Sequence, residues 1–166
     1  MEFKLSFDRL SKWITTGTLV VFLTTLGIIE FVKDNQNTEI LTLVQTLMAT
    51  FLTLILGYCY FTRPLYYYLD SQNLVIRRPI NSITIPRIEI SESTLVEHSE
   101  KKNMLRLFGN GGFFGYTGFF YNHTLGKMHL YVSRKDHWVL IKLSNKKQVV
   151  LSPDEDVTFL RELQSM

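Results

Sequence analysis

Two long apolar blocks decide most of what this chain can become. The first, WITTGTLVVFLTTLGIIEFV, runs from Trp13 to Val32, and the second, ILTLVQTLMATFLTLILGYCYF, from Ile40 to Phe61. Neither contains Lys or Arg. Each is about 20 residues, roughly 30 Å as a helix, which matches the hydrocarbon core of a bilayer. Buried in a soluble domain, two such helices would need an apolar mantle that residues 62–166 are too few to supply. A secretory signal is a poor match too. The first block is long for a signal core, no small-residue cleavage site follows it, and a second block comes at once. The pattern predicts a transmembrane hairpin over 13–61, with helices at 13–32 and 40–61.

The flanks set its direction. Lys4, Arg9 and Lys12 precede the first block, and Arg63, Arg77 and Arg78 follow the second. The connection KDNQNTE holds one Lys and two acids. Basic residues stay on the cytoplasmic side, so both termini are expected in the cytoplasm, at the cell (inner) membrane. Trp13 on one helix and Tyr58, Tyr60 and Phe61 on the other then mark one interface as an aromatic belt. Residues 1–12 carry Phe3, Phe7 and Leu10 at helical spacing, which predicts a short interfacial helix. Thr46, Thr50, Thr53 and Gly57 form one stripe, and Gly17, Thr24 and Gly27 another. Small faces of this kind predict close helix approach in lipid. Glu30 and Gln45 fall at similar depth and form a candidate intramembrane polar pair.

From residue 62 onward the texture changes. Fourteen Lys and Arg face ten Asp and Glu there. That excess is too small to argue for nucleic acid, but it matters beside an anionic membrane. The one cysteine, Cys59, makes no internal disulfide and no cysteine metal site. YYYL and NLVIRR flank DSQN, a hairpin signal. GKMHLYVS, HWVLIKLS and KQVVLS read as an antiparallel meander. SPDEDVTFLRELQSM predicts a helix over 153–164, with Ser152 as N-cap, Pro153 at its first turn and Glu155 closing a capping box. Val157, Leu160 and Leu163, with Phe159 beside them, would form its apolar stripe.

Between the strands lies LFGNGGFFGYTGFFYN. Gly109, Gly111, Gly112, Gly115 and Gly118 are candidate structural glycines, needed where the backbone takes positive φ or passes close to another chain segment. A phosphate-cradling loop is the functional rival, but no Lys-Ser/Thr and no helix follows.

This segment, followed by LGKMHLYVS and by HWVLIKLSNKKQVVLSPDEDVTFLREL, resembles the bacterial pleckstrin-homology-like domains over about residues 64–166. The resemblance implies an α+β membrane protein: a two-helix transmembrane hairpin, then a PH-like antiparallel β-barrel capped by the C-terminal helix. It implies a binding module rather than a catalyst.

No set of residues suggests chemistry. His98, His123, His129 and His137 match no metal-ligand spacing. Alternation along KMHLYVS turns His129 toward solvent. His129 and His137, with Ser133 and Asp136 nearby, could be sketched as a triad or a metal site, but no second carboxylate or cysteine cluster supports either. No catalytic residue, cofactor or metal is expected. Asn122 opens a sequon, which on the cytoplasmic side stays unmodified. Arg63, Arg77 and Arg78 are candidate headgroup contacts, because the DSQN turn sends the chain back toward the bilayer. The expected function is a membrane-anchored binding or scaffolding module docking at the cytoplasmic face. Its partners would be the bilayer, anionic lipid headgroups, and a protein partner or second copy. The alternative is a small accessory subunit of a transporter or envelope complex, working through its helices.

Overall fold

A computed structural model describes residues 1–35, 39–97, 100–101 and 103–165, without the side chains of residues 29–35 and 41. Helices α1 (Arg9–Asn35) and α2 (Glu39–Thr62) follow a short strand, β1 (Glu2–Lys4). Both are long and apolar enough to cross a membrane, and only 11% of each apolar window is buried inside the protein. The hairpin is therefore not the core of a soluble domain.

The helices do not approach closely where the small-residue stripes predicted it. A Cβ added at Gly17, Gly27 or Gly57 would meet nothing within 4 Å. Thr46, Thr50 and Thr53 each donate to a carbonyl of their own helix at 2.8 Å, so their hydroxyls need no partner across the pair. An open groove of about 800 Å³ lies between the helices instead, with Gln45 and Ala49 on its wall. The side chain of Glu30 lies outside the described residues, so its pairing with Gln45 stays an expectation from sequence.

The N-terminal segment is where helical spacing misleads. Residues 2–4 form β1, antiparallel to β2 (Tyr66–Leu69), with Phe3 opposite Tyr67. Glu2 and Lys4 are exposed and Phe3 is buried, the period of a strand. The Phe3 ring meets Phe159 edge-on at 5.0 Å, and that burial outweighs the helical pattern of Phe3, Phe7 and Leu10.

The β domain is two sheets, not a closed barrel. Sheet A is β1-β2-β3-β4, with β3 at Asn73–Arg77 and β4 at Ser82–Pro86. Sheet B is β5-β9-β10-β8-β7-β6, built from β5 (Ile90–Val96), β6 (Leu105–Gly112), β7 (Gly115–Asn122), β8 (Gly126–Val132), β9 (Trp138–Leu143) and β10 (Gln148–Leu151). The expected meander is not formed. β10 lies between β9 and β8, antiparallel to the first and parallel to the second. Both faces of these central strands are covered, which explains their unbroken apolar runs. One face, with Val139, Ile141, Val149 and Leu151, packs on Tyr67, Leu74 and Ile76 of sheet A and on Phe159. The other carries Tyr116, Phe120, Leu130, Trp138 and Val150.

The last helix, α3 (Asp156–Gln164), starts later than 153, and its N-cap Glu155 makes no side-chain cap bond. Ser152 is not the cap. It is buried, its Oγ accepts from Ser133 N–H at 3.0 Å, and its own N–H donates to Tyr67 Oη at 3.0 Å. Phe159 and Leu163 are buried while Val157 is exposed, so the apolar stripe is turned one position from the expected one. At the other end Arg87 donates to the carbonyls of Glu162 and Leu163 at 2.7 and 2.8 Å, the cation that a helix C-terminus favours.

Candidate functional site at the base of the helices

Glycine and aromatic rings alternate in residues 107–122 because β6 and β7 form a sharply coiled hairpin. Gly109 and Gly118 sit opposite each other with φ of 117° and 127°. A Cβ on either would strike the backbone of the facing strand. At the tip, Gly112 and Gly115 also take positive φ, 147° and 119°, and Phe114 is held at 53°. That is a costly conformation for a bulky residue. Buried Asn110 holds it, accepting from Phe113 N–H at 3.0 Å and donating to the carbonyls of Phe113 and Gly115.

The tip packs on the helices. Ser11 Oγ donates to the Gly112 carbonyl at 2.9 Å, and Phe114 N–H donates to Thr15 Oγ1 at 3.1 Å. The Phe114 ring meets Tyr60 edge-on at 5.5 Å. The segment before α1 is tied down as well. Asp154 accepts from Ser6 N–H at 3.0 Å and from Arg134 at 3.0 Å, and Arg134 also grips Asp136 at 2.5 Å. Bonding to Arg134 holds the Asp136 carboxyl below the usual range.

Arg63, Arg77 and Arg78 gather at this end of the domain. Arg63 directly follows α2, with its guanidinium 4.2 Å from the Tyr60 ring centroid and 5.6 Å from that of Phe114. Arg77 stands opposite Tyr66 at the start of β2, and its Nη1 donates to Ser82 Oγ at 2.9 Å. Arg78 follows in the turn to β4. Among the described residues none of the three has a carboxylate partner, and Nε of Arg63 and of Arg78 is buried without an acceptor.

His129 is half-buried rather than turned to water. Its ring stacks on Tyr131 at 4.2 Å and lies 4.4 Å from Phe119. Phe119 is its register partner on β7, a pairing that alternation along β8 alone could not show. Burial, and secondarily the charge of Arg78, lowers its pKa to about 4. It does not meet Ser133, whose hydroxyl donates to the Ser6 carbonyl at 2.8 Å. His137 Nδ1 instead faces Asp156 at 2.9 Å. Among the described residues no group of three or more His, Cys, Asp or Glu could hold a metal ion. His98 lies outside the described residues.

Two sheets with a C-terminal helix on their shared core form a β domain whose basic, aromatic end lies beside a hairpin of two apolar helices. The chain belongs to the bacterial PH domain family, whose model matches residues 65–166. The match begins at Leu65, so β1, which completes sheet A, lies outside it. No curated protein and no solved structure matches the chain.

Proposed function

We propose that this protein is a membrane-anchored PH-like binding or scaffolding module, held by α1 and α2 at the cytoplasmic face of the cell membrane. Arg63, Arg77 and Arg78 are its headgroup contacts. The observation that carries the reading is the cluster of three arginines at the helix base, none of which has a carboxylate partner among the described residues. Two short tethers support it: β1 ends at Lys4 and α1 begins at Arg9, while α2 ends at Thr62 and β2 begins at Tyr66. Each arginine beside an anionic leaflet contributes about 1 kcal/mol at modest salt. The reading contains no catalytic step.

The test places a nitroxide at Asn81→Cys, in the β3–β4 turn, with Cys59→Ala removing the native thiol. The full chain goes into nanodiscs of zwitterionic or anionic lipid. The label is expected at headgroup depth in anionic discs, returning to water when Arg77→Gln and Arg78→Gln are combined. Equal aqueous exposure in both lipids overturns the docking reading.

A second reading is favoured by the open groove between α1 and α2. There the helices seat a partner's transmembrane segment, and the protein is an accessory subunit. A partner retained after deletion of residues 65–166 supports that reading; one lost on deletion supports the module.

A further inference from the structure

β5 and β6 are the two opposite edges of sheet B. From the chain between them, Lys101 and Met104 border the face of sheet B that carries Tyr116, Phe120 and Trp138. On that face lies a cavity of about 550 Å³. Its floor is Tyr116, Phe120 and Trp138, and its cations are Lys101, Arg106 and Lys135.

The cations are arranged over the floor. Lys101 Nζ lies 5.3 Å from the Trp138 ring centroid and Lys135 Nζ 5.2 Å from that of Tyr116. Arg106 folds across the coiled strand onto Gly111, where a Cβ would sit 2.5 Å from its Nη1. Among the described residues no acid lines the cavity. Among the described residues none of the three cations forms an ion pair. The nearby carboxylates are engaged: Asp136 with Arg134, Asp156 with His137, and Asp8, whose Oδ1 takes the Ser11 N–H at 2.5 Å. Burial pulls the Lys101 pKa down, with Asp136 and Asp156 opposing. Neither carboxylate forms an ion pair with it, since Asp136 is held by Arg134 and Asp156 by His137.

We propose that this cavity binds a phosphate-bearing group, with the phosphate among Lys101, Arg106 and Lys135 and the organic body against Tyr116, Phe120 and Trp138. Ammonium and guanidinium donors suit phosphate oxygens, and three positive charges can balance a doubly charged ester. The headgroup of an anionic lipid and a free phosphoester offer the same chemistry. The lipid source is within reach because the cavity lies at the helix end of the domain. Tyr116 Oη is 3.5 Å from Asp8 Oδ2, and Gly111 precedes the Gly112 that Ser11 holds. Only the choice of source rests on the membrane reading; phosphate binding does not.

The experiment uses the full chain in phosphatidylcholine nanodiscs with Trp13→Phe, which leaves Trp138 as the one tryptophan. Its emission is followed against glycerol 3-phosphate and, separately, against short-chain phosphatidylglycerol. Glycerol and sodium chloride of equal ionic strength serve as blanks. A saturating response is expected to at least one phosphate compound. Lys101→Gln and Arg106→Gln should each weaken it about tenfold, as loss of a charge-assisted bond does. Arg106→Lys should weaken it less, and Lys147→Gln, on the β9–β10 turn, not at all. Equal response to glycerol 3-phosphate assigns the free phosphoester, and response to the lipid alone assigns the headgroup. Arg77→Gln with Arg78→Gln should leave it intact, which separates this site from bilayer docking. No saturable response to either compound, or equal loss in Lys147→Gln, overturns the proposal.

Discussion

In α1 and α2 the side chains of Trp13, Val21, Leu47, Met48 and Phe51 stand between 61% and 76% exposed, whereas Tyr67, Leu74, Val132, Ile141 and Phe159 of the β domain are 0% exposed. Both regions are rich in apolar residues. The domain hides them between its own layers, and the hairpin presents them to its surroundings. One is stabilised by internal packing, which a single cavity damages. The other is exposed along most of its apolar length, so a single substitution there removes little internal packing. The β6–β7 tip is where these two regimes touch.

Phe159→Ala should have the largest effect. It empties the centre of the first core and should cost about 3–5 kcal/mol, lost from the β domain alone. In detergent-solubilised full-length protein, proteolysis should open residues 65–166 while helical circular dichroism persists. Simultaneous loss of both signals would break the contrast.

Gly118→Val comes next. It adds a side chain at positive φ and drives it into the Phe108 carbonyl, for about 3 kcal/mol of strain and collision combined. Gly57→Val in α2, where a Cβ meets nothing, should leave thermal unfolding unchanged. Equal shifts in the two variants would mean that the hairpin is as tightly packed as the domain.

Thr15→Val probes the junction. It leaves the Phe114 N–H without its acceptor, at about 1–3 kcal/mol. Hydrogen exchange should speed up at residues 112–115 and remain slow at β9. Unchanged exchange at the tip would mean that the two regions are not coupled there.

The smallest effect is a pH dependence. The folded pKa of His129 is held near 4 against an ordinary 6.5, so as pH falls the unfolded chain takes the proton first. Stability from this group is complete above about pH 6.5, declines between 6.5 and 4, and is flat below. The slope has a ceiling of about 1.4 kcal/mol per pH unit. His129→Phe should remove the slope in that window, measured as melting temperature of the β domain. A slope that survives belongs to another group.

How much was legible depended on whether a pattern was local. The apolar runs of α1, α2 and β9 and the turn between β2 and β3 are written in consecutive residues. The glycines at 109, 112, 115 and 118 also announced a sharply bent backbone. Other features depended on distant contacts. Phe3 reads equally as one turn of helix or one step of strand until Tyr67 and Phe159 are in place. Ser152 has the letters of an N-cap, yet Ser133 and Tyr67 claim its polar atoms. The order β9-β10-β8 needs a pairing choice that no run of ten residues encodes.

The same division holds for the binding surfaces. Arg63, Arg77 and Arg78 could be grouped from sequence because one hairpin turn returns the chain to the end of α2. Lys101, Arg106 and Lys135 could not. They lie in a connection, a strand and a turn, and only the coiling of sheet B brings them over one aromatic floor. Sequence alone determined two apolar helices and a β domain with bent, glycine-rich strands, because composition and short periodicities act over a few residues. Tertiary structure decided the N-terminal strand, the open two-sheet form, the start of α3 and the cationic cavity, because each depends on residues far apart in sequence competing for the same neighbours.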